Sequence, residues 1–164
     1  MKMDDRVILA VEDSDAEFYV IRLALQQAGI AIQVCRAHDG DDAIEFLERT
    51  GPHKGAPIPK LVFLNINMPR RNGFEVLEYM KAHELLRSIP VVMFTTSTDA
   101  TERQKALALG AEEFLTKPSD LDGLIAALSG VCTRFLYASH GRPSDNEGRH
   151  PEQSGSRSKG ASAT

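Results

Sequence analysis

The sequence predicts an α/β protein in which five parallel strands form a doubly wound sheet. Short apolar runs of strand length alternate with stretches of helical period, this alternation repeats five times, and most of the links are short. Strands covered by helices on both faces read as continuous apolar runs, and a strand–helix–strand order makes neighbouring strands parallel. We therefore expect one parallel sheet with helices on both of its faces.

The predicted strands are runs of apolar and β-branched residues bounded by turn or polar residues. The run that begins at Val7 is continuous and apolar, which is typical of a strand buried on both faces. The loop of residues 50–60, "TGPHKGAPIPK", separates the second predicted helix from the third strand. The predicted strands cover residues 7–11, 30–35, 61–64, 90–94 and 113–116.

The predicted helices follow from apolar residues at helical spacing and from their terminal signals. Ser14 and Glu17 have the spacing of a capping box, and Gly29 and Gly110 are the stop signals of two helices. The pair Asn72-Gly73 is interpreted as a turn. The predicted helices cover residues 14–28, 39–49 and 74–83, a fourth stretch that Thr98 or Asp99 caps and that runs to residue 109, and a last one from residue 121 to about residue 135.

Composition sets limits on location, partners and domain organisation. The chain has 164 residues and a net charge of −4, so electrostatics do not favour a nucleic-acid partner. No apolar run is long enough to cross a bilayer and no signal peptide is recognisable, so we expect a cytoplasmic protein without a membrane partner. Cys35 and Cys132 are expected to be core thiols. We predict one folded domain over residues 1–138 and a disordered polar tail over residues 139–164.

Polar residues follow four of the five predicted strands. Glu12 and Asp13 follow the first strand, Asn65 the third, Thr95 the fourth and Lys117 the fifth. In an open parallel sheet, ligands bind at the carboxyl ends of the strands. These five side chains are therefore expected to meet in one crevice.

The residue types in this crevice indicate cation and phosphate chemistry with one component missing. Two carboxylates are hard oxygen ligands suited to Mg²⁺, while a hydroxyl and an ammonium suit a phosphoryl group. An aspartate between them could attack a phosphoryl donor and form an acyl phosphate. Asn65 cannot, because an amide has no anionic form at neutral pH.

The chain resembles the receiver domain of bacterial response regulators, the CheY-like family. The resemblance rests on "ILAVEDSDAE", "LVFLNINMPRRNGFEVL", "PVVMFTTS" and "GAEEFLTKP", in that order, and covers about residues 5–137. The separations of 30 residues from Asn65 to Thr95 and 22 residues from Thr95 to Lys117 are as in that family. The resemblance implies a flavodoxin-like (βα)₅ fold with strand order 2-1-3-4-5.

The resemblance implies roles for the crevice residues. Glu12 and Asp13 would hold Mg²⁺, with the backbone carbonyl of Asn67 as a further ligand. Thr95 and Lys117 would contact the phosphoryl oxygens. The chain departs from the family pattern at the phosphoacceptor position, where Asn65 stands in place of aspartate, and the lost negative charge should weaken Mg²⁺ binding.

Two further features are implied by the same resemblance. Phe114 matches the aromatic switch position, which moves together with Thr95 in signalling. The Lys117–Pro118 peptide bond matches a bond that is often cis in the family, and a cis X–Pro bond has only a modest cost.

The leading interpretation is a single-domain response regulator of two-component phosphorelay signalling. With Asn65 it would be a pseudo-receiver, not an enzyme, and would act by docking to another protein through the face of its fourth helix, fifth strand and fifth helix. Expected partners are a sensor histidine kinase, a downstream protein and a second copy in a homodimer. The long loop before the third strand and the "TTS" motif are similar to small regulators associated with bacterial phytochromes.

Two alternatives remain at this stage. In one, the native protein is an active phosphoacceptor that is phosphorylated from a histidine kinase, and Asn65 is an engineered replacement of its aspartate. In the other, the chain is a flavodoxin-like FMN carrier, since that fold has the same strand order. The loop "VEDSDAE" argues against FMN, because it is acidic and lacks the glycines of a phosphate-binding loop.

Overall fold

The structure is a computed structural model that describes residues 4–137. Its strands are β1 (Val7–Val11), β2 (Gln33–Ala37), β3 (Leu61–Leu64), β4 (Val91–Thr95) and β5 (Glu113–Thr116). Its α-helices are α1 (Asp15–Gln27), α2 (Gly40–Glu48), α3 (Gly73–Ala82), α4 (Ala100–Ala108) and α5 (Leu121–Cys132). A short 3₁₀ turn (Gly51–His53) follows α2, and a π-helical turn (Thr133–Tyr137) follows α5.

All strand pairs in the sheet are parallel, and the strand order is β2-β1-β3-β4-β5. This confirms the predicted doubly wound α/β fold with order 2-1-3-4-5. The predicted tail of residues 139–164 lies outside the described residues, so the division of the chain at residue 138 stays a prediction. Within residues 4–137, no helix is long and apolar enough to cross a membrane.

The sheet has a separate hydrophobic core on each face. One core packs α2, α3 and α4 against the sheet, with Leu77 and Met80 fully buried. The other packs α1 and α5, with Leu25 and Leu128 buried. Strands β1, β3 and β4 contribute alternate residues to both cores, and burial of each large side chain contributes about 1.5–3 kcal/mol. The sheet is therefore fixed from both sides, which fixes the edge where the strands end.

Strand β2 lies later in the chain than predicted. The prediction of residues 30–35 followed the apolar residues Ile30 and Ile32, but the ladder with β1 begins at Gln33 and extends to Ala37. β2 is an edge strand and only one of its five residues is fully buried. Pairing with β1 therefore sets where β2 begins and ends, and these ends do not coincide with an apolar run in the sequence.

The capping box forms at a different helix from the predicted one. Ser14 accepts a hydrogen bond from the Glu17 N–H at the start of α1, but the Glu17 carboxylate bonds to Lys117. At α3, Asn72 accepts from the Glu75 N–H and the Glu75 carboxylate accepts from the Asn72 N–H. Asn72 is therefore a helix cap, and its interpretation as a turn residue was incomplete.

The Lys117–Pro118 bond, which the resemblance marked as a possible cis peptide, is not cis in the structure. No peptide bond in the described part of the chain is cis, so this one is trans. The trans form of an X–Pro bond is favoured by about 0.5–1 kcal/mol unless tertiary contacts oppose it. In the trans arrangement the Lys117 N–H donates to the Thr95 carbonyl at 2.7 Å.

Candidate functional site

The carboxyl ends of the central strands bring the predicted site residues to one edge of the sheet. Val11 pairs with Leu64 in the β1–β3 ladder, so the residues that follow these two strands are level. The Asn65 N–H donates to the Val11 carbonyl at 3.1 Å, which extends the ladder by one step. Asn65 is thereby fixed beside the loop that follows β1.

The side-chain amide of Asn65 faces three oxygen atoms. Its Nδ2 lies 3.3 Å from Glu12 Oε1, 3.3 Å from Asp13 Oδ1 and 3.4 Å from the Asn67 carbonyl oxygen. All three are acceptors, so the hydrogen-bond pattern requires the nitrogen and not the oxygen on this side. The structure thus brings together Asn65 and the three residues predicted as metal ligands.

Glu12 is a buried carboxylate with a partner on each oxygen. Only 2% of the residue is exposed. Its Oε2 pairs with Lys117 Nζ at 2.9 Å, and its Oε1 accepts from the Ser14 N–H at 3.2 Å. Lys117 Nζ also pairs with Glu17 Oε2 at 3.0 Å. Buried charges are stable only when they are paired, and this ion pair meets that condition.

Thr95 ends β4 and is fully buried. Its hydroxyl oxygen accepts a hydrogen bond from the Ser97 N–H at 3.1 Å. Within residues 4–137 that hydroxyl makes no hydrogen bond to Asn65, Glu12 or Lys117. The structure therefore places Thr95 at the correct strand end, and its contact with a phosphoryl group stays a prediction.

Phe114, on β5, belongs to the core on the α4 side of the sheet. It is buried, and it pairs with Met93 in the β4–β5 ladder. Its backbone carbonyl accepts from Arg103 Nη1 on α4 at 3.3 Å. These contacts join β5 to α4, while the switch role of Phe114 stays a prediction.

Sequence reasoning missed two residues that shape the site. Glu17 was interpreted only as a helix cap, although its carboxylate shares the Lys117 ammonium with Glu12. Gly73 allows α3 to begin against Asn65, because a Cβ at this position would lie 2.2 Å from the Asn65 carbonyl oxygen. The Asn72-Gly73 pair was a visible signal for Gly73, whereas no local pattern links Glu17 to Lys117.

The donor atoms of this site are of the kind that bind a hard divalent cation. Carboxylate and carbonyl oxygens are the ligands of Mg²⁺, and Glu12, Asp13 and Asn67 supply three of them around one point. Only two of these are charged, and residues 4–137 contain no group of three or more His, Cys, Asp and Glu side chains arranged for a metal. The residue types fit such a cation, but the Asn65 amide hydrogens point at the same oxygens.

A parallel sheet of order 2-1-3-4-5 with a polar crevice at the carboxyl ends of β1, β3, β4 and β5 defines a CheY-like α/β domain. The family model "Response regulator receiver domain" matches residues 8–129. The chain belongs to this family.

Similar proteins include response regulators associated with phytochromes. The chain is 33% identical over 131 residues to "Response regulator Rcp1" of Synechocystis sp., which covers 80% of this chain and 89% of that protein. The structure of "the Phosphorylated Cyanobacterial Phytochrome Response Regulator RcpA" matches with a TM-score of 0.75 and 29% identity, over 81% of this chain and 95% of that one. "The Mn(2+)-bound form of response regulator Rcp1" matches with a TM-score of 0.73 and 33% identity, over 80% and 94%. The chain is thus related to phytochrome-associated response regulators and takes part in two-component signalling.

Proposed function

We propose that this chain is a single-domain response regulator that does not accept a phosphoryl group and acts by docking to other proteins. The observation that carries the proposal is the position of Asn65, an amide at the end of β3 within 3.3 Å of the carboxylates of Glu12 and Asp13. The single-domain organisation is supported by Rcp1, of which the match covers 89%. In this proposal the chain is not an enzyme and works in the cytoplasm.

The chemistry of Asn65 explains the loss of phosphorylation. Transfer to an aspartate forms a bond between a carboxylate oxygen and phosphorus, while the bond from phosphorus to the donor's oxygen or nitrogen breaks and the leaving group takes that electron pair. The amide oxygen of Asn65 is neutral, and its nitrogen lone pair is delocalised into the carbonyl. No anion is therefore available at the position that the other polar groups surround.

The remaining crevice residues support the roles predicted for them. Glu12, Asp13 and the Asn67 carbonyl are the groups that would hold Mg²⁺, with an affinity weakened by the uncharged Asn65 among them. The metal in the Mn²⁺-bound structure of Rcp1 supports a divalent cation of this kind. If an aspartate at residue 65 were phosphorylated, Thr95 and Lys117 would contact the phosphoryl oxygens, and Phe114 would follow Thr95 as the switch.

Output would occur through the face formed by α4, β5 and α5. The two helices carry exposed apolar side chains, Leu107 on α4 and Leu121 on α5. We propose a downstream protein or a second copy of the chain as the occupant of this face. The likeness to RcpA, a phytochrome response regulator, supports a sensor histidine kinase of the bacterial phytochrome type as the upstream partner.

The second candidate function is that of an active phosphoacceptor whose aspartate has been replaced. The completeness of the crevice favours it, because Lys117 still pairs with Glu12, and Asp13 and Thr95 still follow their strands. On this alternative, restoring a single carboxylate should restore phosphorylation.

The intact mass after incubation with acetyl phosphate and Mg²⁺ tests both candidates. The parent chain, Asn65→Asp and Asn67→Asp would be compared, because Asn67→Asp also converts an asparagine of the same loop to a carboxylate but places it off the strand end. We expect one phosphoryl group on Asn65→Asp and none on the parent or on Asn67→Asp.

Two other outcomes would contradict one or other of the two candidate functions. Phosphorylation of the parent would contradict the proposal directly. Absence of the phosphoryl group from Asn65→Asp would reject the active-phosphoacceptor alternative and leave a pseudo-receiver whose crevice has lost more than its aspartate.

A further inference from the structure

The Asn65 amide lies where three acceptor oxygens converge. The distances from Nδ2 to Glu12 Oε1, Asp13 Oδ1 and the Asn67 carbonyl differ by only 0.1 Å, from 3.3 to 3.4 Å. An NH₂ group has two hydrogens for these three acceptors, so they are shared among long hydrogen bonds. The amide is thus a partial positive charge placed among two carboxylates and a carbonyl.

The carboxylate of Glu12 is satisfied by groups of the protein itself. Asn65 Nδ2 and the Ser14 N–H reach its Oε1, and Lys117 Nζ reaches its Oε2. An aspartate at residue 65 would instead place a third carboxylate beside Glu12 and Asp13. Like charges at this separation repel one another, and a bound cation is the usual way to relieve the repulsion.

We propose that the Asn65 amide competes with divalent cations for the oxygens of Glu12, Asp13 and Asn67, so that the crevice is held together without a metal ion. This regulation deepens the proposed function: the docking module keeps one conformation whatever the Mg²⁺ concentration. To admit a cation, the amide must first give up its contacts with all three oxygens. Asn65 therefore lowers the affinity for a cation by more than the loss of one negative charge would lower it.

A charge-matched variant separates competition from charge. Asn65→Ala has the same net charge as the parent chain but lacks the amide donors. If charge alone mattered, the two chains would bind a cation equally well. If the amide turned its oxygen toward the cation and acted as a ligand, Asn65→Ala would bind more weakly. Of the three explanations, only competition by the amide predicts that Asn65→Ala binds the cation more tightly than the parent chain.

The experiment is a titration of the parent, Asn65→Ala and Asn65→Asp with Mn²⁺, followed by calorimetry or by the electron paramagnetic resonance of free Mn²⁺. We expect Asn65→Ala to bind about three- to tenfold more tightly than the parent, the range set by one net hydrogen bond, and Asn65→Asp to bind more tightly still. Gln33→Ala, an exposed substitution on β2, serves as the control and should match the parent.

Thermal unfolding provides a second readout that does not need Asn65→Ala to fold. About 10 mM Mg²⁺ should leave the Tm of the parent nearly unchanged and raise the Tm of Asn65→Asp, because ligand that binds only the folded state stabilises it. Parent affinity equal to or above that of Asn65→Ala, or equal Tm shifts in the parent and Asn65→Asp, would overturn the inference. Neither result bears on whether the parent accepts a phosphoryl group. The competition proposal can therefore be overturned while the proposed function stands, and the reverse is also true.

Discussion

Among single residues, Lys117 makes the contact that holds the crevice together. Its side chain is 9% exposed, and its ammonium pairs with Glu12, which is 2% exposed, and with the half-exposed Glu17. The ammonium also lies 5.3 Å from the centre of the Phe94 ring. A cation in this position neutralises a buried carboxylate that water does not reach.

Removal of the Lys117 charge should therefore be costly. We expect Lys117→Met to lower the free energy of unfolding by about 3–5 kcal/mol, because it leaves the Glu12 carboxylate buried without its cation. Urea denaturation followed by circular dichroism measures this value. Lys60→Met, at an exposed position, should change it by less than about 0.5 kcal/mol.

The double variant Glu12→Gln/Lys117→Met distinguishes charge from packing. With both of these charges absent, most of the lost stability should return, because no buried carboxylate is left without a cation and Glu17 is half-exposed to water. A double variant as unstable as Lys117→Met would show that the stem of Lys117 matters and that its charge does not.

The sequence predicted most of this site because strand ends are visible as changes from apolar to polar residues. Glu12, Asp13, Asn65, Thr95 and Lys117 were all found by that rule, and the sheet places them along one edge. The role of Glu17 in binding Lys117 could not be found, because it depends on how a side chain of α1 turns toward β5 across 100 residues of sequence.

At the level of elements, the start of α3 is limited by the backbone that directly follows β3. The Gly73 N–H donates to the Ile66 carbonyl at 2.8 Å, and a Cβ at Gly73 would lie 2.2 Å from the Asn65 carbonyl oxygen and 2.9 Å from the Ile66 Cα. Both nearest neighbours are backbone atoms, which cannot move as the end of a flexible side chain can. Helix α3 therefore sits closer to the site than any other residue type would permit.

Substitution of this glycine should displace α3. We expect Gly73→Ala to destabilise the protein by about 1–3 kcal/mol, the usual cost of overpacking, with the shift concentrated at Asn65 and Ile66. The matched control is Gly130→Ala in α5, where the added Cβ would meet only the end of the Arg134 side chain, at 3.3 Å. That change should stabilise by up to about 1 kcal/mol through helix propensity.

Urea denaturation and amide chemical shifts of the β3–α3 loop would measure both effects. Equal stabilities of Gly73→Ala and Gly130→Ala would contradict the close approach. Local propensity could not have predicted this constraint, because the sequence shows only an Asn-Gly pair and the tight contact depends on a strand that ends nine residues before Gly73.

The loop between α2 and β3 is attached to α2 by Asp42. Its carboxylate accepts from the His38 N–H at 2.8 Å and contacts His53 Nε2 at 2.5 Å, while the His53 ring packs edge-on against Phe46. Burial by itself would raise the pKa of Asp42, but the hydrogen bonds from His38 and His53 outweigh it and lower the pKa below 3.8. The ionised carboxylate is therefore the form that holds the loop.

This attachment should depend on pH in one direction. Because the folded-state pKa of Asp42 is lowered, its stabilisation is fully present above pH 3.8 and is lost as the pH falls through the lowered value. We expect Asp42→Asn to cost about 1 kcal/mol near pH 6, and the difference from the parent to shrink as the pH approaches 3. Urea denaturation across this range measures it, and a difference that grows toward acid pH would contradict the assignment.

At the scale of the whole molecule, the two cores are joined through the same strands. Leu9 and Val62 face the core of α2, α3 and α4, while their neighbours Ile8 and Leu61 face the core of α1 and α5. Loss of either core therefore removes the support of the shared sheet. This much followed from the sequence, since continuous apolar runs predict strands buried on both faces; the edge strand β2, with one buried residue, was placed only by its pairing with β1.

Cys132 can report whether the domain unfolds as one unit. It is fully buried in the core of α1 and α5, and burial raises the pKa of its thiol to about 11, so the reactive thiolate is scarce in the folded state. The chain has one other cysteine, Cys35, which is half-buried and whose pKa is also raised by burial. Replacing it in a Cys35→Ser background leaves Cys132 as the single cysteine of the chain.

In that background, alkylation of Cys132 near neutral pH should be very slow in the absence of denaturant. As urea increases, the alkylation rate should follow the unfolded fraction measured by circular dichroism. Because both cores share one sheet, the thiol becomes accessible to the reagent only when the whole domain unfolds. Mass spectrometry of the alkylated chain measures the rate. Fast alkylation at urea concentrations where the circular dichroism signal is still native would show that α5 unfolds by itself. The proposed docking face of α4, β5 and α5 would then be less stable than the rest of the domain.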